Sequence, residues 1–241
     1  METILHRFVW LFCRMLKVNE RISIERFLLV GQLIFEPSQQ KENNCTLGNI
    51  LCIVIIATKI LEQTDRTNEE RRSIYSWISR LCRQNFVNDK GKTILHLCVD
   101  FTVNNEFSFR REDLQPYLRC PNASALRLLL TYGRHWLDID ARDFSQGNTP
   151  LHVICLGSKN TEIIELLLNS GCHIDCENKH GLTLFHLLKR QPRLRAVLRL
   201  QPKPTPLKCL CARIIARKRL NISNINSSLT RFILLHGTLH K

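Results

Sequence analysis

The sequence predicts an all-α protein assembled from stacked helix pairs, and three observations carry that expectation. Apolar residues in the first third recur at helical spacing, with starts and stops marked by capping residues and proline. From Asp89 onward a short frame repeats at intervals suited to helix-turn-helix units. Near the end, the stretch PLKCLCARIIA over 206–216 reads as a separate amphipathic helix.

Residues from about 3 to 17 form the first helix, apolar at Ile4, Leu5, Phe8, Val9, Leu11, Phe12, Met15 and Leu16. A second begins near Ser23, points Ile24, Phe27, Leu28, Leu33 and Ile34 inward, and is ended by Pro37. The third runs from about Leu47 to Leu61 and contains the greasiest run of the chain, Ile50 to Ala57, far short of the roughly 20 residues that cross a bilayer. Thr67 and Glu70 make a capping box for the fourth, which carries Ile74, Trp77, Ile78 and Leu81 on one stripe. Four helices with short polar connections suit an antiparallel, tetratricopeptide-like array over 1–88.

Three segments then share a Gly-x-Thr-x-Φ-His frame, where Φ is apolar: 91–96, 147–152 and 181–186. The second and third are 34 residues apart and the first and second 56, the excess fitting an insertion near 101–121. Two units end in a leucine run followed by glycine, Leu128 to Gly133 and Leu166 to Gly171, and each glycine is expected to stop its helix in the left-handed conformation. This frame looks like ankyrin, assigned to 89–200. Thr93, Thr149 and Thr183 can cap a first helix, Pro150 sits where a helix tolerates proline, and His96, His152 and His186 can hydrogen-bond within the turn. The repeat accounts for these residues as structural.

The 241 residues carry 44% apolar composition, enough for a real core, and a formal net charge of +14. After Glu177 there is no acidic residue, while the tail holds fourteen Lys and Arg. Such charge could meet phosphates, but between Phe185 and Phe232 no aromatic is present to stack on bases, which weighs against nucleic acid. Eleven cysteines scattered within apolar runs, with no secretory signal, suit reduced thiols in a cytoplasmic or nuclear protein and no membrane association. The cluster Cys172, His173, Cys176 and His180, with His152 and Cys155 upstream, is spaced imperfectly for a zinc finger, so neither metal nor cofactor is assigned. A phosphate-binding glycine loop, a Gly-x-Ser-x-Gly elbow and a His-Glu-x-x-His pair are all missing, so no catalytic residue is assigned and the chain is not expected to be an enzyme.

In the 206–216 helix, Leu207, Cys211 and Ile215 are four apart, within an arc of roughly 80°, with Leu210 and Ile214 beside them. Lys208 and Arg213 are expected on a wet opposite face. Helical pairs, a short ankyrin block, PLKCLCARII and Leu229 to Phe232 together resemble the C-terminal half of the Fem ankyrin-repeat proteins, over nearly the whole chain. In that family the ending is a von Hippel-Lindau-type box, here 201–241. The resemblance implies docking to Elongin C, with its partner Elongin B, and to Cullin-2, as the substrate-recognition subunit of a ubiquitin ligase. Leu207, Cys211 and Ile215 meet the Leu-x-x-x-Cys-x-x-x-Φ pattern of the Elongin-binding part. Ile225, Leu229, Phe232 and Ile233 could fill the Cullin part, where Asn226 stands in the usual place of proline. The family's long N-terminal ankyrin array, which implies the degron-binding surface, has no counterpart before Met1. Fragment, shortened paralogue and decoy stay open, as does the protein substrate, and a plain interaction scaffold is the alternative.

Overall fold

A computed structural model of the chain describes residues 4–18, 20–35, 46–105, 118–157, 160–189 and 207–236. Helices α1 (Ile4–Lys17), α2 (Ile24–Leu33), α3 (Leu47–Glu62) and α4 (Asn68–Gln84) come first. They are followed by α5 (Ile94–Val99), α6 (Ala123–Gly133), α7 (Pro150–Leu156), α8 (Thr161–Asn169) and α9 (Leu184–Lys189). The last two are α10 (Leu207–Arg217) and α11 (Ser227–His236). Pro37, expected to end the second helix, and most of the insertion lie outside the described residues.

The axis of the stack is α3. Every residue from Ile50 to Thr58 is buried, because the helix packs on α1 on one side and on α5 and α6 on another. A helix apolar all round needs neighbours all round. One continuous apolar cluster consequently runs from Val9 to Leu188, through both the first helices and the repeats. The second helix is shallower than its pattern suggested: Phe27 and Ile34 are buried, whereas Leu28 and Leu33 are half-buried.

Local chemistry sets the helix starts. Thr46 Oγ1 accepts from the Asn49 amide at 3.3 Å, opening α3. In the α4 capping box, Thr67 Oγ1 accepts from the Glu70 amide at 3.2 Å and Glu70 Oε2 accepts from the Thr67 amide at 2.8 Å. That amide bond, with Arg66 and Arg21 against the same carboxylate, holds Glu70 down to about 2. Arg66 itself is almost wholly buried and donates to the Ile22 carbonyl at 2.6 Å, tying α4 to the entry of α2.

The repeats form pairs, α5 with α6 and α7 with α8, and α9 opens the next unit on α7. Each first helix is preceded by a tight finger. Asn88 donates to the Lys92 carbonyl at 3.0 Å, Asp143 to Asn148 at 2.9 Å and Asn178 to Leu182 at 3.0 Å. These turns need positive φ at Gly91, Gly147 and Gly181, which explains the invariant first letter of the frame within this chain. Adjacent fingers are joined through Phe144 to the Lys90 carbonyl at 2.8 Å and Lys179 to Gln146 at 2.9 Å.

The two glycines expected to stop helices behave differently. Gly171 follows α8 with φ of 89° and ends it as anticipated, but Gly133 lies inside α6 and the backbone continues in the right-handed region at Arg134. Its role is close approach. A Cβ there would stand 2.2 Å from Cys82 Sγ and 2.8 Å from Cys82 Cβ on α4. The same two helices are held by Tyr75 stacked on Tyr132 at 4.0 Å, and Arg83 of α4 lies 4.5 Å over the Trp136 ring in the turn after α6.

Candidate interaction site

The repeat histidines form a ladder rather than a site for chemistry. His96 Nδ1 accepts from the Thr93 amide at 3.1 Å, and its Nε2 lies 2.9 Å from the Asn148 carbonyl in the next unit. Those partners assign the proton to Nε2, which donates to the carbonyl. His152 repeats the arrangement with the Thr149 amide at 3.3 Å and the Leu182 carbonyl at 2.8 Å. His186 accepts from the Thr183 amide at 3.1 Å. Thr149 caps α7, whose first residue is Pro150. Burial lowers His152 and brings His96 down to about 4, so both imidazoles stay neutral, as a side chain that accepts on one nitrogen and donates on the other requires.

The end of the chain is built differently. Helices α10 and α11 pack on each other, burying Cys209, Ala212 and Ile233 in a small core outside the main apolar cluster. Cys209 and Ala212 are small, so the helices can approach closely. Lys208 reaches alongside, its Nζ 5.4 Å from the Phe232 ring. Asn226 Oδ1 accepts from the Leu229 amide at 2.8 Å, capping α11.

The consequence for α10 is an uncovered apolar face. Leu207 is 74% exposed, Ile214 56% and Leu210 40%, with Cys211 exposed between them. These positions fall within about 100° on the helix, diametrically opposite Cys209 and Ala212. The expected wet opposite face is thus corrected: α10 is apolar on two sides, one spent on α11 and one open. Ile215, placed on the stripe by its spacing, is half-buried at the stripe's edge. Of the positions read for a second partner, Ile233 is 3% exposed and committed to the hairpin core, Ile225 and Phe232 are half-buried, and Leu229 is 47% exposed.

Cysteine chemistry separates in the same way. Burial raises Cys13, Cys82, Cys120 and Cys155 to about 12, which makes them poor nucleophiles. Cys211 is the exposed thiol among the described residues. Among those residues no helix is long and apolar enough to cross a membrane. The cysteine and histidine cluster of the third unit is split: His180 is exposed and faces Gln146, whereas His173 and Cys176 are buried with Asp140.

Hairpin fingers followed by paired helices, linked from unit to unit by histidine-to-carbonyl hydrogen bonds, define an ankyrin-repeat protein, and the ankyrin repeat family model matches residues 146–179. The chain is 30% identical over 205 residues to protein fem-1 homolog C of Xenopus laevis, covering 83% of this chain and 30% of that protein. It is 28% identical over 220 residues to human protein fem-1 homolog C, covering 89% and 32% respectively, and 29% identical over 216 residues to human protein fem-1 homolog A, covering 89% and 29%. The chain belongs to the Fem ankyrin-repeat family. It spans about a third of the length of the curated relatives it matches.

Proposed function

We propose that this chain is a non-catalytic adaptor that joins a Cullin-2 ubiquitin ligase by laying the open face of α10 into Elongin C, which carries Elongin B with it. The observation that supports this reading most is the unpartnered stripe of Leu207, Leu210, Cys211 and Ile214 on a helix already anchored from behind by α11. A helix offered to a groove needs such a face, presented on a rigid mount so that little ordering entropy is lost on docking. Full burial of Leu207 would contribute about 1.5–3 kcal/mol, enough to decide whether the complex survives washing. The substrate would be held elsewhere on the repeat stack, and ubiquitin transfer would belong to the ligase.

A second reading is favoured by α11. Ile233 is committed to the hairpin core and Asn226 to the helix cap, and Leu229 is the exposed large apolar side chain among those described on α11. If those side chains are too few to hold Cullin-2, the chain would occupy Elongin without delivering substrate.

Purified Elongin B/C should be captured by the immobilised wild-type chain and lost with Leu207→Ala plus Cys211→Asp, both exposed positions whose change spares the fold. In the same experiment Elongin B/C should protect Cys211 from alkylation. Equal capture by both proteins sinks the assignment. Capture of Elongin with no retention of added Cullin-2 selects the second reading.

A further inference from the structure

We propose that the junction between the second and third repeat units is a binding site for one zinc-type divalent ion, ligated by Asp140, His173 and Cys176. Each of these side chains offers one donor atom, the three atoms lie within 4.8 Å of one another, and all three residues are buried. Asp140 comes from the turn after α6, and His173 and Cys176 come from the turn after α8. An ion here would therefore join consecutive units.

The arrangement is already held in place. The His173 amide donates to Asp140 Oδ1 at 2.9 Å, which leaves Oδ2 facing the His173 imidazole. The Asp138 carboxylate accepts from the Asp140 amide at 3.0 Å and fixes the turn that presents Asp140. Cys172, also buried, is a further thiol within electrostatic reach of Asp140 and Cys176.

The donor set selects the ion. Calcium and magnesium ask for six or more oxygens, which one carboxylate cannot supply, whereas carboxylate, imidazole and thiolate together suit zinc. Donors around tetrahedral zinc stand roughly 3.3–3.8 Å apart, so Asp140 Oδ2 and His173 Nδ1, in hydrogen-bond contact without the ion, must part to admit it while Cys176 Sγ stays within reach. On binding, Cys176 releases its thiol proton to solvent as the sulfur–metal bond forms, and the proton between Asp140 and His173 moves to the other ring nitrogen or to solvent. The metal replaces a hydrogen bond with two ligand bonds. Sequence spacing missed this set because Asp140 lies 33 residues before His173.

Titrating the reduced, purified chain with cobalt(II) tests the site. The expected result is saturation at one equivalent, with the intense visible bands of tetrahedral cobalt, a near-ultraviolet thiolate charge-transfer band, and displacement by zinc. Cys176→Ser should lose the thiolate band and Asp140→Asn should weaken binding at least about tenfold, while Cys211→Ser leaves both unchanged. Circular dichroism checks each variant; should Cys176→Ser unfold, the isosteric Asp140→Asn decides. Absence of a saturable band, a band that survives Cys176→Ser, unaltered affinity in Asp140→Asn, or loss with Cys211→Ser overturns the proposal.

Discussion

Gly133→Val should destabilise the protein by about 3 kcal/mol, a cost in the upper range for overpacking. The first added carbon meets Cys82 at 2.2 Å from sulfur and 2.8 Å from Cβ, and Leu137 Cδ1 is 3.1 Å away. A cysteine can turn its sulfur aside, but it cannot move its Cβ without moving α4. The helices must therefore part. That movement also disturbs the stacked Tyr75 and Tyr132 rings and the Arg83–Trp136 contact. Replacing glycine inside a helix would ordinarily gain up to about 1 kcal/mol in propensity, so the sign of the result reports whether close approach dominates. Thermal unfolding should fall by roughly 6–12 °C. Addition of Cys82→Ala, which removes the sulfur, should recover part of the loss, giving a coupling of about 1 kcal/mol or more. Stability within about 0.5 kcal/mol of wild type would contradict this account of the α4–α6 interface.

The second large effect is on pH dependence. Burial depresses His96 to about 4, against an ordinary value of 6.5, and is opposed by the Asn148 carbonyl that accepts its proton. Asp143 and Asp100 favour the charged form and Lys92 disfavours it. Above 6.5 the imidazole is neutral in both folded and unfolded chains, and its contribution is fully present. As pH falls from 6.5 towards 4 the unfolded chain takes up a proton that the folded one refuses, so stability is lost, by about 3 kcal/mol across the window, and the loss levels off below 4. The stability difference between wild type and His96→Asn, which has no imidazole, should shrink by that amount over the same window. In NMR titration the His96 ring should remain neutral until about pH 4. A midpoint near 6.5 would mean that the ladder from Thr93 to Asn148 is open to water.

What the sequence made legible was what local chemistry decides. The Gly-x-Thr-x-Φ-His frame could be read because each letter serves a contact within a few residues: positive φ at Gly147, a cap at Thr149, a first-turn Pro150, and His152 reaching back to the Thr149 amide. The capping box of α4 was readable for the same reason. Distant encounters were not. Gly133 looked like a helix stop because leucines and a glycine end many helices, yet its purpose depends on Cys82, on another helix entirely. Likewise, Cys172, His173, Cys176 and His180 suggested a poorly spaced finger, and Asp140, which stands with His173 and Cys176, lay one repeat upstream.

The α10 helix illustrates the limit within a single element. Spacing could find Leu207, Cys211 and Ile215 on one stripe, but it could not tell which apolar face the chain itself would cover. Small residues settled that, since Cys209 and Ala212 let α11 approach where leucine would not. The larger side chains were left outside. An apolar face of this kind is costly to expose and is the feature on which the proposed function rests.

Calorimetric titration of purified Elongin B/C into the wild-type chain, Leu207→Ala and Leu220→Ala tests that function most directly. Leu220 is a fair control, because it is 54% exposed yet lies beyond the end of α10. Binding should saturate at one to one, weaken at least about tenfold with Leu207→Ala, in line with losing most of a buried leucine, and stay unchanged with Leu220→Ala. No heat with the wild-type chain, or equal affinities for all three proteins, would contradict it.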